Sequence, residues 1–211
     1  MNDYRNTKYC PNLDELETKK TLVKELIESR YPRIFDMYKL ISKNGSEYKK
    51  EFMRAYNNKC CYCGVSVDIC TIDKIEIDHF IHKKSEIFKN TTEAGYIENL
   101  VLSCYTCNRK KGSFIINEDN KNYLNPDRNI KNIFYRDESY YIKVKEEYLT
   151  NDHILAFYQK LALNSELLRI DFLLMNMIGL SEKLEQKKIE NDVLSFTIQK
   201  LQKKRNYLKR K

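Results

Sequence analysis

The sequence predicts an α+β protein: a small zinc-stapled core of strand, loop, strand and helix, flanked by N-terminal helices and by a mostly helical C-terminal region that carries a short β-hairpin. Three observations lead there. Four of the seven cysteines form two C-x-x-C pairs, Cys60/Cys63 and Cys104/Cys107. Between the pairs, residues 74–78 alternate apolar and polar as a half-buried strand does, and Leu100-Val101-Leu102 is a second short apolar run. Outside them, apolar residues recur at helical spacing on both sides. The expected division is an N-terminal helical region (1–51), a zinc-containing core (52–117), a β-hairpin extension (118–150) and a C-terminal helical region (151–211).

The first helix is expected from Leu13 to about Ser29. Leu13, Leu16, Leu22, Val23, Leu26 and Ile27 share its apolar stripe, and Asp14, Glu15 and Glu17 suit the positive end of its dipole. A second helix is expected from about Arg33, with Ile34, Phe35, Met37, Tyr38 and Ile41, until Asn44-Gly45 stops it. Ser46 caps a third, which turns Tyr48, Phe52, Met53 and Tyr56 to one side. After the first strand, residues 83–98 are polar and contain Asn90, Thr91, Thr92 and Gly95, which predicts a long surface loop. A helix then starts at or just after Ser103 and runs to Gly112. Ile133-Phe134-Tyr135 and residues 140–144 read as a hairpin around Asp137-Glu138-Ser139. From Asp152 the pattern is helical, and the charged stretch from Ser181 to Lys211 reads as a packed amphipathic helix, with a partner-binding helix as the alternative.

Lys and Arg total 38 against 30 Asp and Glu, a formal net charge of +8 with pI ≈ 9.0. That balance favours an anionic partner such as nucleic acid; DNA is the favoured nucleic acid, a choice that net charge does not make. No apolar run reaches the roughly 18 residues a spanning helix needs, and the opening MNDYRNTKYC lacks the apolar stretch of a signal peptide. A soluble, cytoplasmic protein with no membrane attachment is the expectation. In a reducing compartment an odd number of cysteines with two C-x-x-C pairs points to a metal rather than to disulfides.

Four thiolates make the closed tetrahedral set of structural zinc, so Cys60, Cys63, Cys104 and Cys107 are the expected ligands. Cys61, inside the first pair, stands as an alternative to Cys60. About 40 residues separate the pairs, and this insertion carries the reactive candidates. Asp78 and His79 end the alternating strand; a carboxylate there can hold a hard divalent cation, and an imidazole can take a proton from water. Asn108 and Lys111 lie three apart on one helix face, where the amide oxygen can complete the cation site and the ammonium can meet a phosphate. Arg109 and Lys110 add cations to the same block.

In order, Cys60-Cys61-Tyr62-Cys63-Gly64, Ile77-Asp78-His79-Phe80, and the run from Asn99-Leu100 through Cys104-x-x-Cys107-Asn108-x-x-Lys111 resemble the HNH endonuclease family. The resemblance implies a ββα-metal active site in which His79 is the general base, Asp78 and Asn108 hold a catalytic magnesium or manganese, and Asn99 orients the loop or the base. It further implies hydrolysis of phosphodiester bonds, with Arg109, Lys110 and Lys111 on substrate phosphates. The sequence departs from the family after Phe80, where Ile81-His82-Lys83 lacks the usual proline; His82 reads as a surface residue, with an extra metal ligand as the alternative. A looser similarity, carried by the HFxxK run, the CNxxKG block and Tyr123-Leu124-Asn125-Pro126, is to the HNH subunits of Septu-type anti-phage systems. It implies an ATPase partner docked on the helical regions. The runner-up reading is a non-catalytic zinc-stabilised subunit that binds nucleic acid or a partner.

Overall fold

In a computed structural model that describes residues 3–209, the chain consists of helices and two small antiparallel pairs of strands. Helix α1 (Leu16–Arg30) buries Leu16, Val23 and Ile27. A single turn, α2 (Tyr38–Ile41), is followed by α3 (Glu47–Ala55), whose N-cap Ser46 accepts a hydrogen bond from Lys49 N and whose buried side carries Tyr48, Phe52 and Met53. The short α4 (Val67–Cys70) leads into β1 (Ile75–His79), which pairs antiparallel with β2 (Leu100–Cys104) in the register Ile75↔Cys104 through His79↔Leu100. Helix α5 (Tyr105–Lys111) follows β2 directly and packs back on both strands. Two further short helices, α6 (Glu118–Leu124) and α7 (Ile130–Ile133), precede the hairpin of β3 (Phe134–Arg136) and β4 (Ile142–Val144). The chain ends in α8 (Asp152–Lys160) and an antiparallel pair, α9 (Glu166–Gln186) and α10 (Asp192–Leu208).

Strand, loop, strand and helix occur in the expected places, as do the first and third helices, the hairpin and the helical C-terminal region. The hairpin turn is closed by Asp137, whose Oδ1 accepts from Ser139 N (3.0 Å) and Tyr141 N (2.9 Å). Four local expectations need correction. The second helix shrinks to α2 because residues 33–37 are drawn against the loop after β1: Met37 N donates to Gly95 O at 3.0 Å instead of bonding within a helix. The 83–98 segment is a surface loop only in its first half. Ala94, Gly95 and Ile97 are buried, in two 3-10 turns that deliver Asn99 to β2. Residues 118–133, placed in the β-hairpin extension, fold into α6 and α7, and Asn117 caps α6 by accepting from Asn120 N. Ser181 does not open the final helix: α9 continues to Gln186, and the last helix begins after the cap Asn191. Arg210 and Lys211, which end the region expected to be helical, lie outside the described residues, as do Met1 and Asn2 of the N-terminal region.

One cluster of buried apolar side chains runs through all these parts, from Tyr4 to Met175. The N-terminal segment is locked into it by Arg5, which is 1% exposed and donates through Nη1 to Cys61 O (2.5 Å) and Pro126 O (2.8 Å). Among the described residues no helix is long and apolar enough to cross a membrane.

Candidate metal centre and active site

The first C-x-x-C pair sits in a tight knuckle. Gly64 N donates to Cys60 O and Cys60 N to Val65 O, and Gly64 turns the chain with φ +80°. A Cβ at Gly64 would fall 2.4 Å from Arg5 O, so both the backbone angle and the close N-terminal segment require glycine. The second pair straddles the start of α5: Cys104 is its N-cap, and its sulfur accepts from Cys107 N at 3.5 Å. Antiparallel pairing of β1 with β2 brings the helix start back to the knuckle, and the four ligand sulfurs of Cys60, Cys63, Cys104 and Cys107, all buried, lie within 4.8 Å of one another. Zinc–sulfur bonds of about 2.3 Å at tetrahedral angles put sulfurs about 3.8 Å apart. The Cys63 Sγ to Cys104 Sγ distance is 3.9 Å, so the cluster has the dimensions of a structural zinc site. Cys61 is not part of it. Its N–H donates to Leu102 O at 2.7 Å and its thiol is buried elsewhere in the core, where burial pushes its pKa up.

The polar face of β1 lies under α5. Glu76 and Asp78 are two residues apart and share that face. Asp78 is 8% exposed; its Oδ2 accepts from the Tyr62 hydroxyl at 2.9 Å, and both carboxylate oxygens meet Lys111 Nζ, at 3.1 and 2.9 Å. Burial raises the pKa of Asp78 against the opposing pull of Lys111 and Tyr62. Lys111 is itself 1% exposed and also donates to His79 O at 2.7 Å. Expected at a substrate phosphate, it is instead turned inward, where it directs its charge at Asp78 and ties α5 to the end of β1. Arg109 and Lys110 remain on the outer side of the helix; Arg109 is exposed, reaches Glu76 Oε1 at 3.4 Å and lies over the Tyr105 ring, 5.0 Å from its centre. Asn108 faces β1 and donates through Nδ2 to Glu76 Oε2 at 2.5 Å.

His79 ends β1 half-buried, its ring 4.4 Å from that of Tyr38 on α2. Desolvation, with the charges of Lys111 and Lys83, lowers its pKa to about 4, opposed by Asp36, so the imidazole is neutral at pH 7 and holds a lone pair for a proton. Asn99 lies just beyond. Its Oδ1 accepts from Ile81 N (2.8 Å), its Nδ2 donates to Ile81 O (3.0 Å) and Ala94 O (2.9 Å), and its carbonyl accepts from Phe80 N (2.8 Å). Asn99 therefore clasps the chain immediately after His79 against the end of the insertion. His82 is half-exposed, and its Nδ1 accepts from Lys84 N at 3.3 Å.

Three residues of this arrangement escape motif reading. Tyr62 supports Asp78 from within the zinc knuckle, between two ligand positions, and the one signal for Glu76 along the chain is its two-residue offset from Asp78. Tyr38 carries no local signal, because its place beside His79 depends on the packing of a distant segment.

A paired-strand-and-helix unit stapled by four cysteines, with an Asp-His pair at a strand end and an Asn on the covering helix, has the layout of the ββα-metal class. Residues 60–114, about a quarter of the chain, match the family model described as HNH endonuclease. This segment thus carries the HNH signature, which supports a nuclease-family function and nucleic-acid binding. No curated protein and no solved structure matches the chain.

Proposed function

We propose that the protein is a metal-dependent endonuclease that hydrolyses phosphodiester bonds, with DNA as the favoured substrate. The observation that carries this reading is a half-buried His79 next to Asp78 on one strand, with Asn108 facing that strand from α5. His79 accepts the proton of a water whose oxygen bonds to phosphorus as the ester P–O bond breaks. Asp78 and the Asn108 amide oxygen would hold magnesium or manganese, and such an ion would stabilise charge on the phosphoryl and leaving oxygens. Asn99 fixes the backbone after His79, and Lys111 fixes Asp78. Arg109 and Lys110 neutralise flanking phosphates and make binding salt-dependent. The zinc is structural, since four thiolates leave no open position for water.

The looser Septu-type similarity extends the proposal to an effector of anti-phage defence in the cytoplasm, working with an ATPase subunit. Exposed Ile189, Val193 and Phe196 on the C-terminal helical pair support a docking role for that region.

The test is cleavage of matched duplex DNA, single-stranded DNA and RNA by wild type and His79→Ala, with magnesium, manganese or chelator. Cutting is expected only with a divalent cation and is expected to fall by at least about a hundredfold in His79→Ala, with zinc content unchanged. Undiminished cutting by that variant removes His79 as the base. Salt-dependent binding without cutting by wild type favours the non-catalytic reading instead.

A further inference from the structure

Asn108 is the only amide proposed as a cation ligand, and an amide can present either of two ends. Its Nδ2 donates to Glu76 Oε2 at 2.5 Å, and among the described residues no donor reaches its Oδ1. A carboxylate only accepts, so Glu76 selects the NH2 edge of Asn108 and leaves the oxygen free. Glu76 is suited to this task by its place. It is two residues before Asp78 on the same face of β1, its partner across the sheet is Ser103, and α5 passes over it with Asn108 and Arg109 both in reach. Its second oxygen faces Arg109 Nη2 at 3.4 Å, which holds the carboxylate between the two helix residues.

We propose that Glu76 is a positioning residue of the cation site: it locks the Asn108 side chain in the orientation that offers Oδ1 to the metal, without itself binding the ion. This rests on the reading of Asp78 and Asn108 as cation ligands. Free rotation of an unanchored amide would leave an NH2 group directed at a cation for part of the time, and partners that orient ligands in this way commonly set metal affinity.

The experiment is a double-mutant cycle on the full-length, zinc-loaded chain, reading manganese affinity by electron paramagnetic resonance of the free ion, with no substrate present. Glu76→Ala is expected to weaken manganese binding by about tenfold, in the range typical for removing a partner that orients a metal ligand. In an Asn108→Ala background the same change is expected to add nothing, because Glu76 acts only through that amide. Glu76→Gln keeps an acceptor at the position and serves where Glu76→Ala is poorly folded; it is expected to bind manganese more tightly than Glu76→Ala. Two results overturn the inference while leaving the ligand reading intact: Asn108→Ala weakens binding but Glu76→Ala does not, or the two losses add, which would make Glu76 an independent ligand. Unchanged manganese binding in Asn108→Ala overturns the ligand reading itself, and the role of Glu76 with it.

Discussion

Asp78 sits beneath a helix with a lysine pointed into it, and the balance of that pair sets what can be changed there. A buried carboxylate and ammonium each lose hydration, and their mutual attraction offsets this only with good geometry and further hydrogen bonds. Both conditions hold: Lys111 Nζ meets both carboxylate oxygens and His79 O, and Tyr62 satisfies Asp78 from the other side. Removing one partner leaves an uncompensated buried charge. Lys111→Met is therefore expected to destabilise the fold by about 3–5 kcal/mol. Lys111→Met with Asp78→Asn should recover much of that loss, since no buried charge then remains. Urea unfolding of the two variants measures both values; a Lys111→Met midpoint equal to wild type would return this lysine to the surface role its sequence position suggests. The thiol of Cys61 illustrates the same dependence on direction, for it lies beside a zinc ligand in sequence yet points away from the cluster.

At the scale of elements, the zinc site joins a loop to a helix. The knuckle at Cys60–Cys63 and the first turn of α5 belong to segments about 40 residues apart, and β1 and β2 bring them together through only five residue pairs. A two-stranded ribbon is at best marginally stable alone, so a metal bound by the four cysteines would supply much of what holds α5 over β1. Cys60→Ser is expected to lose zinc and to lower thermal stability markedly, whereas Cys61→Ser should retain a full equivalent of zinc. Metal content by atomic emission, with thermal melts of both proteins, distinguishes them. A zinc-replete Cys60→Ser protein would exchange the roles of the two cysteines. Strong chelation of the wild type should reproduce the Cys60→Ser melt, because folding and metal binding are linked.

Over the whole molecule, the helical regions are integrated with the nuclease-like core by buried polar junctions as well as by apolar packing. Asp127, between α6 and α7, accepts from Lys20 Nζ on α1 at 2.6 Å and from the Tyr56 hydroxyl after α3 at 2.6 Å, and Lys20 also donates to Leu100 O of β2 at 2.8 Å. One carboxylate thus links the N-terminal helices, the segment after the core and the core strand. On the other side, Asp171 of α9 pairs with Arg205 of α10, both buried, and fixes the terminal helix to its neighbour. Asp127→Ala strands the buried Lys20 and is expected to cost about 3–5 kcal/mol. Because the apolar cluster is continuous, the variant should still unfold in one transition. Differential scanning calorimetry and tyrosine fluorescence check this together: an early, separate melting of the N-terminal helices would show that they are not cooperative with the core.

Much of this was legible along the chain. The cysteine spacing, the two short strands, the Ser46 cap and the hairpin turn at Asp137 are local features, governed by coordination chemistry, side-chain alternation and turn geometry within a few residues. Asp78, His79 and Asn108 were legible as candidates for the same reason, since each sits at a fixed offset from a strand end or a thiol. Contact between distant segments is set only when the chain is folded. Residues 33–37 leave the helical state because Gly95 takes the Met37 N–H, and that move sets Tyr38 against His79. Lys111 faces inward because α5 packs on β1 with Asp78 under its last turn, an outcome no spacing of charges along one helix predicts. Local spacing sets which groups are candidates to bind metal and move a proton; the packing of α5 and the N-terminal helices on β1 sets which of them are turned toward one another, because burial, not proximity in sequence, sets the direction of a charged side chain.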